Sequence, residues 1–309
     1  MIEAAGLEHR FRNGRGVGPI DLRIAAGERA ALMGANGAGK TTLLRILATA
    51  TRPRRGGVLW CGWTAPCKAR RLIGFAADSE LEDVGLTGRQ SIHFWCRQWT
   101  SSAQAATLVP RILERLSLAG VADEPIAGYS FGMRRRLALA QALVHEPRIA
   151  LLDEPTAGLD AEGLEALQTQ LASRAQTGDA TLIASNDCTF VARACNRVIF
   201  LDQGLVVADA APETLLASVG DTRRIELDIT EGAHARIHEL HNISGVANAV
   251  CASGVVTVDL LDDAALGAVV HVVDSWPGGL QALRIHRLDL SDVFRHLTGT
   301  ALDSTGVQP

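Results

Sequence analysis

The chain has 309 residues, 47% of them hydrophobic, enough for one large packed domain or a full-sized domain plus a smaller one, which excludes a disordered chain. With 34 acidic against 30 basic residues and a formal net charge of -4, no global field draws it to nucleic acid or to anionic lipid, and no nucleic-acid partner is expected. Cys61, Cys67, Cys96, Cys188, Cys195 and Cys251 contain no C-x-x-C pair, a pattern that predicts reduced, mostly buried thiols in the cytosol and argues against a disulfide framework or a zinc site.

Met1-Ile2-Glu3-Ala4-Ala5 lacks the basic start and apolar core of a secretory signal, and no uncharged apolar run reaches the roughly 18 to 20 residues that span a bilayer. The apolar run Arg29 to Met33 reads as a strand, the glycine-rich stretch after it as a loop, and Thr41 to Leu47 as a helix. Leu86 to Val144 reads as largely helical. Short apolar strands are expected at Ile149 to Leu152, Thr181 to Ala184 and Val198 to Leu201, separated by helix-length segments as in a buried parallel sheet. Residues 1–217 therefore form an α/β domain.

From Asp221 the texture changes, because Arg224 to Ile229 alternates polar and apolar with period two. The order that follows is strand, helix (Ala233 to Leu240), strand (Val246 to Cys251), strand (Val255 to Leu260), helix (Ala264 to Trp276) and strand (Leu280 to Ile285). That order predicts a small α+β, ferredoxin-like domain over residues 221–302.

Gly34-Ala35-Asn36-Gly37-Ala38-Gly39-Lys40-Thr41 satisfies G-x-x-x-x-G-K-[ST]. Glycines let backbone N–H groups curl around phosphate oxygens, and the following helix adds its positive end. Gly34, Asn36, Gly37, Gly39, Lys40, Thr41 and Thr42 are thus candidates for ATP binding. Lys40 is placed to reach the β- and γ-phosphates, and the Thr41 hydroxyl to ligate Mg²⁺, a cation that prefers oxygen. Further along, Arg148 to Glu154 is an apolar strand ending in two carboxylates. Asp153 is the candidate that holds the metal through water, and Glu154 the general base that polarises the attacking water.

Tyr129-Ser130-Phe131-Gly132-Met133-Arg134-Arg135-Arg136-Leu137 resembles the signature motif of ABC ATPases. The order of phosphate loop, signature and carboxylate strand fits that family, as does Gly158-Leu159-Asp160 as its D-loop. The resemblance implies a P-loop ABC ATPase domain with a helical subdomain. It also implies that Ser130 and Gly132 contact the γ-phosphate held by an opposite subunit, and that Phe11 stacks on adenine. Phe131 stands where the commonest form of the motif has glycine. Arg134-Arg135-Arg136 reads as the solvated face of the signature helix. Arg287 to Gly299 resembles the tail of drug-resistance-type exporters.

By that resemblance the chain is the ATP-hydrolysing motor of an exporter, dimerising on ATP as a homodimer or heterodimer with a second ATP-binding subunit. It drives a separate membrane permease through the region from Asp78 to Gly128, from a peripheral position on the inner face of the cell membrane. Two positions depart from the family: Asp78 replaces its usual glutamine, with Glu80 or Gln90 as alternative occupants of that role, and Asn186 replaces its switch histidine. Asp78 can ligate Mg²⁺ but adds negative charge, and Asn186 can donate a hydrogen bond but carries no proton. Slow hydrolysis is expected. A rival reading is an ATP-dependent regulatory switch with no transport role.

Overall fold

The computed structural model describes residues 1–77, 84–219, 223–229, 233–252, 255–262, 264–277 and 279–302. The chain separates into two units, Met1–Pro212 with Thr300–Pro309, and Glu213–Gly299.

The first unit runs β1 (Ile2–Arg10), β2 (Gly16–Ile24), β3 (Arg29–Met33), α1 (Lys40–Leu47), β4 (Arg55–Trp60), α2 (Pro66–Ala69), β5 (Ile73–Ala76), α3 (Gly88–Arg97), α4 (Ser102–Arg115), α5 (Phe131–Leu143), β6 (Ile149–Asp153), α6 (Ala161–Gln176), β7 (Ala180–Ala184), α7 (Cys188–Ala194), β8 (Arg197–Asp202) and β9 (Leu205–Ala210). Helix α8 (Pro212–Ser218) starts at its boundary. A six-stranded sheet has the order β5-β6-β7-β3-β8-β9, parallel except where β9 runs antiparallel to β8. Its inner strands β6 and β7 are buried at every residue, which is why they read as unbroken apolar runs.

A second sheet, antiparallel and ordered β2-β1-β4, has no counterpart among the strands expected from sequence. Its pattern is broken: β1 contains register shifts at Ala4/Leu7 and Leu7/His9, so period two holds for only a few residues at a time. Ile2, Leu7, Ile20 and Ile24 from this sheet join Leu32, Leu43, Leu44, Leu151 and Ile199 in one core.

Helices α3, α4 and α5 start at Thr87, Ser101 and Ser130, whose hydroxyls each accept the backbone N–H three residues on. All six thiols are free, but the expectation that most are buried is corrected: Cys96 and Cys195 are buried, Cys188 and Cys251 partly so, and Cys61 and Cys67 exposed. Cys61 sits at φ 49° in the turn after β4 and Cys67 in the four-residue α2, both too short to cover them. Burial pushes the Cys195 thiol up to about 12, so it is not a nucleophile.

His145, just after α5, has its Nε2 3.3 Å from the Ile73 carbonyl, and its ring lies against Trp99. Burial lowers it to about 4, against the partial opposition of that hydrogen bond. The unfolded chain therefore takes up a proton between about pH 6.5 and 4 that the folded chain refuses, so stability falls as pH drops through this window. Denaturant unfolding at pH 7 and pH 4.5 should show His145→Gln losing about 2 kcal/mol less than the wild type over that interval. Equal losses would mean that His145 is not the group responsible.

The second unit contains β10 (Arg223–Ile229), α9 (Ala233–His241), β11 (Val246–Ala252), β12 (Val255–Leu260), α10 (Ala264–Asp274), β13 (Leu280–Arg287) and α11 (Leu290–Thr298). Its sheet, ordered β11-β12-β10-β13, is antiparallel throughout. Ile225, Leu227, Leu240, Val256, Val258, Val269, Val273 and Trp276 form its own core. On the β10 face opposite Ile225, Arg224 bridges Asp259 of β12 and Asp292 of α11, at 2.8 and 2.5 Å. No helix among the described residues is long and apolar enough to cross a membrane.

Candidate functional site

The parallel pairing decides what meets at the carboxyl ends of the strands. Leu32 of β3 lies beside Ala184 of β7, which lies beside Asp153 of β6. The loop after β3, Ser185-Asn186 after β7 and Glu154 after β6 are therefore brought together, where ligands of open α/β sheets bind.

Gly39 occupies the N-cap of α1 at φ 109°, with no side chain capping the helix. That φ suits glycine, and an added Cβ would lie 2.4 Å from Val17 Cγ1, so no other residue fits this turn. The first N–H groups of α1 are thereby left to a ligand, at the positive end of the helix. Phe11, Ala35 to Thr42 and Glu154 line one cavity of about 380 Å³, together with Asn13 and Arg15 of the β1–β2 turn and Gly16 at the start of β2. Lys40 is buried, its Nζ donating to the Gly34 carbonyl and, at 3.5 Å, to that of Ala35. Phe11 is 47% exposed, its ring in a T-shaped pair with that of His9, centroids 4.8 Å apart.

Asn186 accepts the Gly34 N–H through Oδ1 at 3.4 Å, while its Nδ2 is buried with no hydrogen-bond partner. A buried donor left without an acceptor costs about 1 to 3 kcal/mol, and Asn186 itself is not among the residues that line the cavity. Asp153 is 1% exposed. Glu154 adopts φ 46°, a left-handed conformation that costs a non-glycine residue about 1 to 2 kcal/mol. Its N–H bonds to the Ala184 carbonyl at 2.8 Å, and its carbonyl accepts from Ala157 N–H at 3.2 Å, which holds that conformation.

Not every expected residue joins this cavity. Ser130 caps α5, taking the Met133 N–H at 3.2 Å, and neither it nor Gly132 lines the cavity. The Phe131 ring lies over Gly158, where φ is 71° and an added Cβ would sit 2.0 Å from the ring. Asp78 and Glu80 fall outside the described residues. Gln90 is engaged elsewhere, its Oε1 accepting the Thr87 N–H at 2.9 Å in the cap of α3.

The reading of Arg134 to Arg136 as a solvated face is corrected, since Arg135 and Arg136 are 6% and 8% exposed. Arg135 donates to the backbone carbonyls of Asp153, Glu154 and Ala77, and Arg136 to that of Ser117. Three consecutive arginines on a helix cannot share one face, since successive residues turn by about 100°. That rotation was the signal available in the sequence.

The ABC transporter family matches this chain over residues 17–157. The Nod factor export ATP-binding protein I of Burkholderia thailandensis is 32% identical, the match covering 96% of this chain and 97% of that protein. This chain belongs to the ABC transporter family, as an ATP-binding subunit. The daunorubicin resistance ATP-binding protein DrrA3 of Streptomyces coeruleorubidus is also 32% identical, over 96% of each chain. Among solved structures, CbiO1 of Clostridium perfringens, part of an ABC transporter complex, superposes with a TM-score of 0.62 at 26% identity, over 71% of this chain and 91% of that one. A dimeric cassette bound to ADP and Pi shares the fold, with a TM-score of 0.61 at 22% identity over 68% and 98% of the two chains. The ABC subunit is the ATP-driven motor of a transporter, and its chemistry is ATP hydrolysis.

Proposed function

We propose that this subunit powers an exporter, with residues 1–217 as the ABC domain and residues 221–302 as a ferredoxin-like accessory domain. The observation that carries the reading is the single cavity in which Phe11, the phosphate loop and Glu154 meet beneath an uncapped helix start. Phe11 stacks on adenine, Gly34 to Thr42 wrap the phosphates, and Lys40 exchanges its loop carbonyls for β- and γ-phosphate oxygens. Glu154 accepts a proton from the water that attacks the γ-phosphorus, and the bond to the β–γ bridging oxygen breaks to release ADP.

The donor set also fits Mg²⁺, because the Thr41 hydroxyl would offer a hard oxygen ligand and the Asp153 carboxylate would hold the metal through water. Bound there, the metal would offset phosphate charge. Asp78, which lies outside the described residues, would add another oxygen ligand. Among the described residues no group of three or more His, Cys, Asp or Glu side chains could hold a metal unaided.

Ser130 and Gly132, exposed or half-exposed and outside the cavity, contact the γ-phosphate of a second subunit across a homodimer or heterodimer. A membrane permease is the other partner, placing the subunit on the inner face of the cell membrane. Two relatives matched over nearly their full length are named for Nod factor export and daunorubicin resistance, which supports the export reading.

Asn186 favours a slow motor. Its amide offers the γ-phosphate a hydrogen bond but no proton. Asn186→His should raise steady-state phosphate release roughly tenfold, with ATP affinity little changed. A wild-type rate already near the typical enzyme value of about 10 s⁻¹ and unmoved by the change would contradict this reading of Asn186.

A further inference from the structure

Helix α5 carries Ser130 at its cap and Gly132 in its first turn, and one turn later it carries Arg135. The Arg135 side chain is buried. Its Nη2 donates to the carbonyls of both Asp153 and Glu154, and its Nη1 to the carbonyl of Ala77 at 3.2 Å. Ala77 directly precedes Asp78 in the chain. Three segments that carry the proposed chemistry are thus tied to one planar guanidinium: the signature helix, the carboxylate pair and the backbone leading into Asp78.

We propose that Arg135 is a positioning residue for hydrolysis, fixing the Asp153-Glu154 backbone to the signature helix so that a displacement of that helix displaces the general base. A guanidinium suits the task because its donors form a rigid fork, whereas an amide or ammonium serves fewer carbonyls in fixed directions. The Glu154 carbonyl it grips belongs to a residue at φ 46°, a conformation that holds only while its surroundings enforce it. Release of the fork frees Glu154 to relax away from the water it must meet. ATP binding depends on the loop around Lys40 and is untouched.

The inference rests on the role proposed for Glu154, and the two fail separately. The test uses the full chain with Arg135→Gln and Arg135→Lys, measuring phosphate release, Mg-ATP affinity by titration calorimetry, and amide exchange by mass spectrometry. Arg135→Gln should lower kcat roughly tenfold to a hundredfold, with KM and ATP affinity within about twofold of wild type. Arg135→Lys should recover part of the loss. Exchange should quicken at residues 154–157 while α5 keeps its protection. An unchanged kcat, or an equal loss of kcat and affinity with α5 losing protection, would overturn the proposal, the second outcome making Arg135 a peg for the fold. Should Arg135→Gln fail to fold, Arg135→Lys decides: a lowered kcat at kept affinity supports the proposal, and wild-type kcat overturns it. Wild-type turnover by Glu154→Gln would instead remove the general base, while the exchange result at residues 154–157 would still report on the tether.

Discussion

Lys40→Ala is expected to abolish tight binding of Mg-ATP. The lysine sits at the start of α1, buried, with its ammonium held by loop carbonyls 5 and 6 residues earlier in the chain. That arrangement keeps a charge inside the cavity at the position of the phosphates, where a charge-assisted hydrogen bond exceeds a neutral one. Its removal costs about 3 kcal/mol or more, a drop in affinity of roughly a hundredfold or beyond. The neighbouring backbone survives, because the turn rests on Gly39 at φ 109°, where Val17 leaves no room for a Cβ, and not on the lysine. Calorimetric titration of a variant with unchanged circular dichroism is the check. Unchanged affinity in a folded Lys40→Ala protein would remove the loop from the binding site.

Glu154→Gln should keep ATP affinity and stop hydrolysis, since the amide preserves shape but cannot accept a proton. Positioned bases contribute about 10² to 10⁴ in rate, and a loss within that range is expected. The variant should accumulate an ATP-bound dimer, because Ser130 and Gly132 are presented outside their own cavity and are free to meet a second one. Size-exclusion chromatography with light scattering, with and without Mg-ATP, reads this directly. A monomer under all conditions would contradict nucleotide as the link between two copies of this chain.

The parallel sheet was legible because β6 and β7 are buried on both faces and leave runs that a strand pattern detects at once. The phosphate loop and the carboxylate strand were legible for a related reason, since their chemistry needs fixed residue types at fixed spacing. The antiparallel β2-β1-β4 sheet escaped because bulges in β1 break its alternation, and because Gly6, Gly16 and Gly18 replace the branched residues that mark a strand. Arg135 escaped for a different reason: its partners are backbone carbonyls up to 58 positions away, and a carbonyl has no signature in a sequence. Asn186 was legible only as a departure from a family pattern. Its contact with Gly34 across 152 positions belongs to the β3–β7 pairing.

The measurement that bears most directly on the central claim is steady-state phosphate release by the purified full chain with Mg-ATP, set against Glu154→Gln as the blank. Hydrolysis at this cavity predicts a saturable rate clearly above the blank and below the typical enzyme value of about 10 s⁻¹, abolished together with binding in Lys40→Ala. A wild-type rate indistinguishable from Glu154→Gln at saturating ATP would contradict the assignment of this cavity as the motor of a transporter.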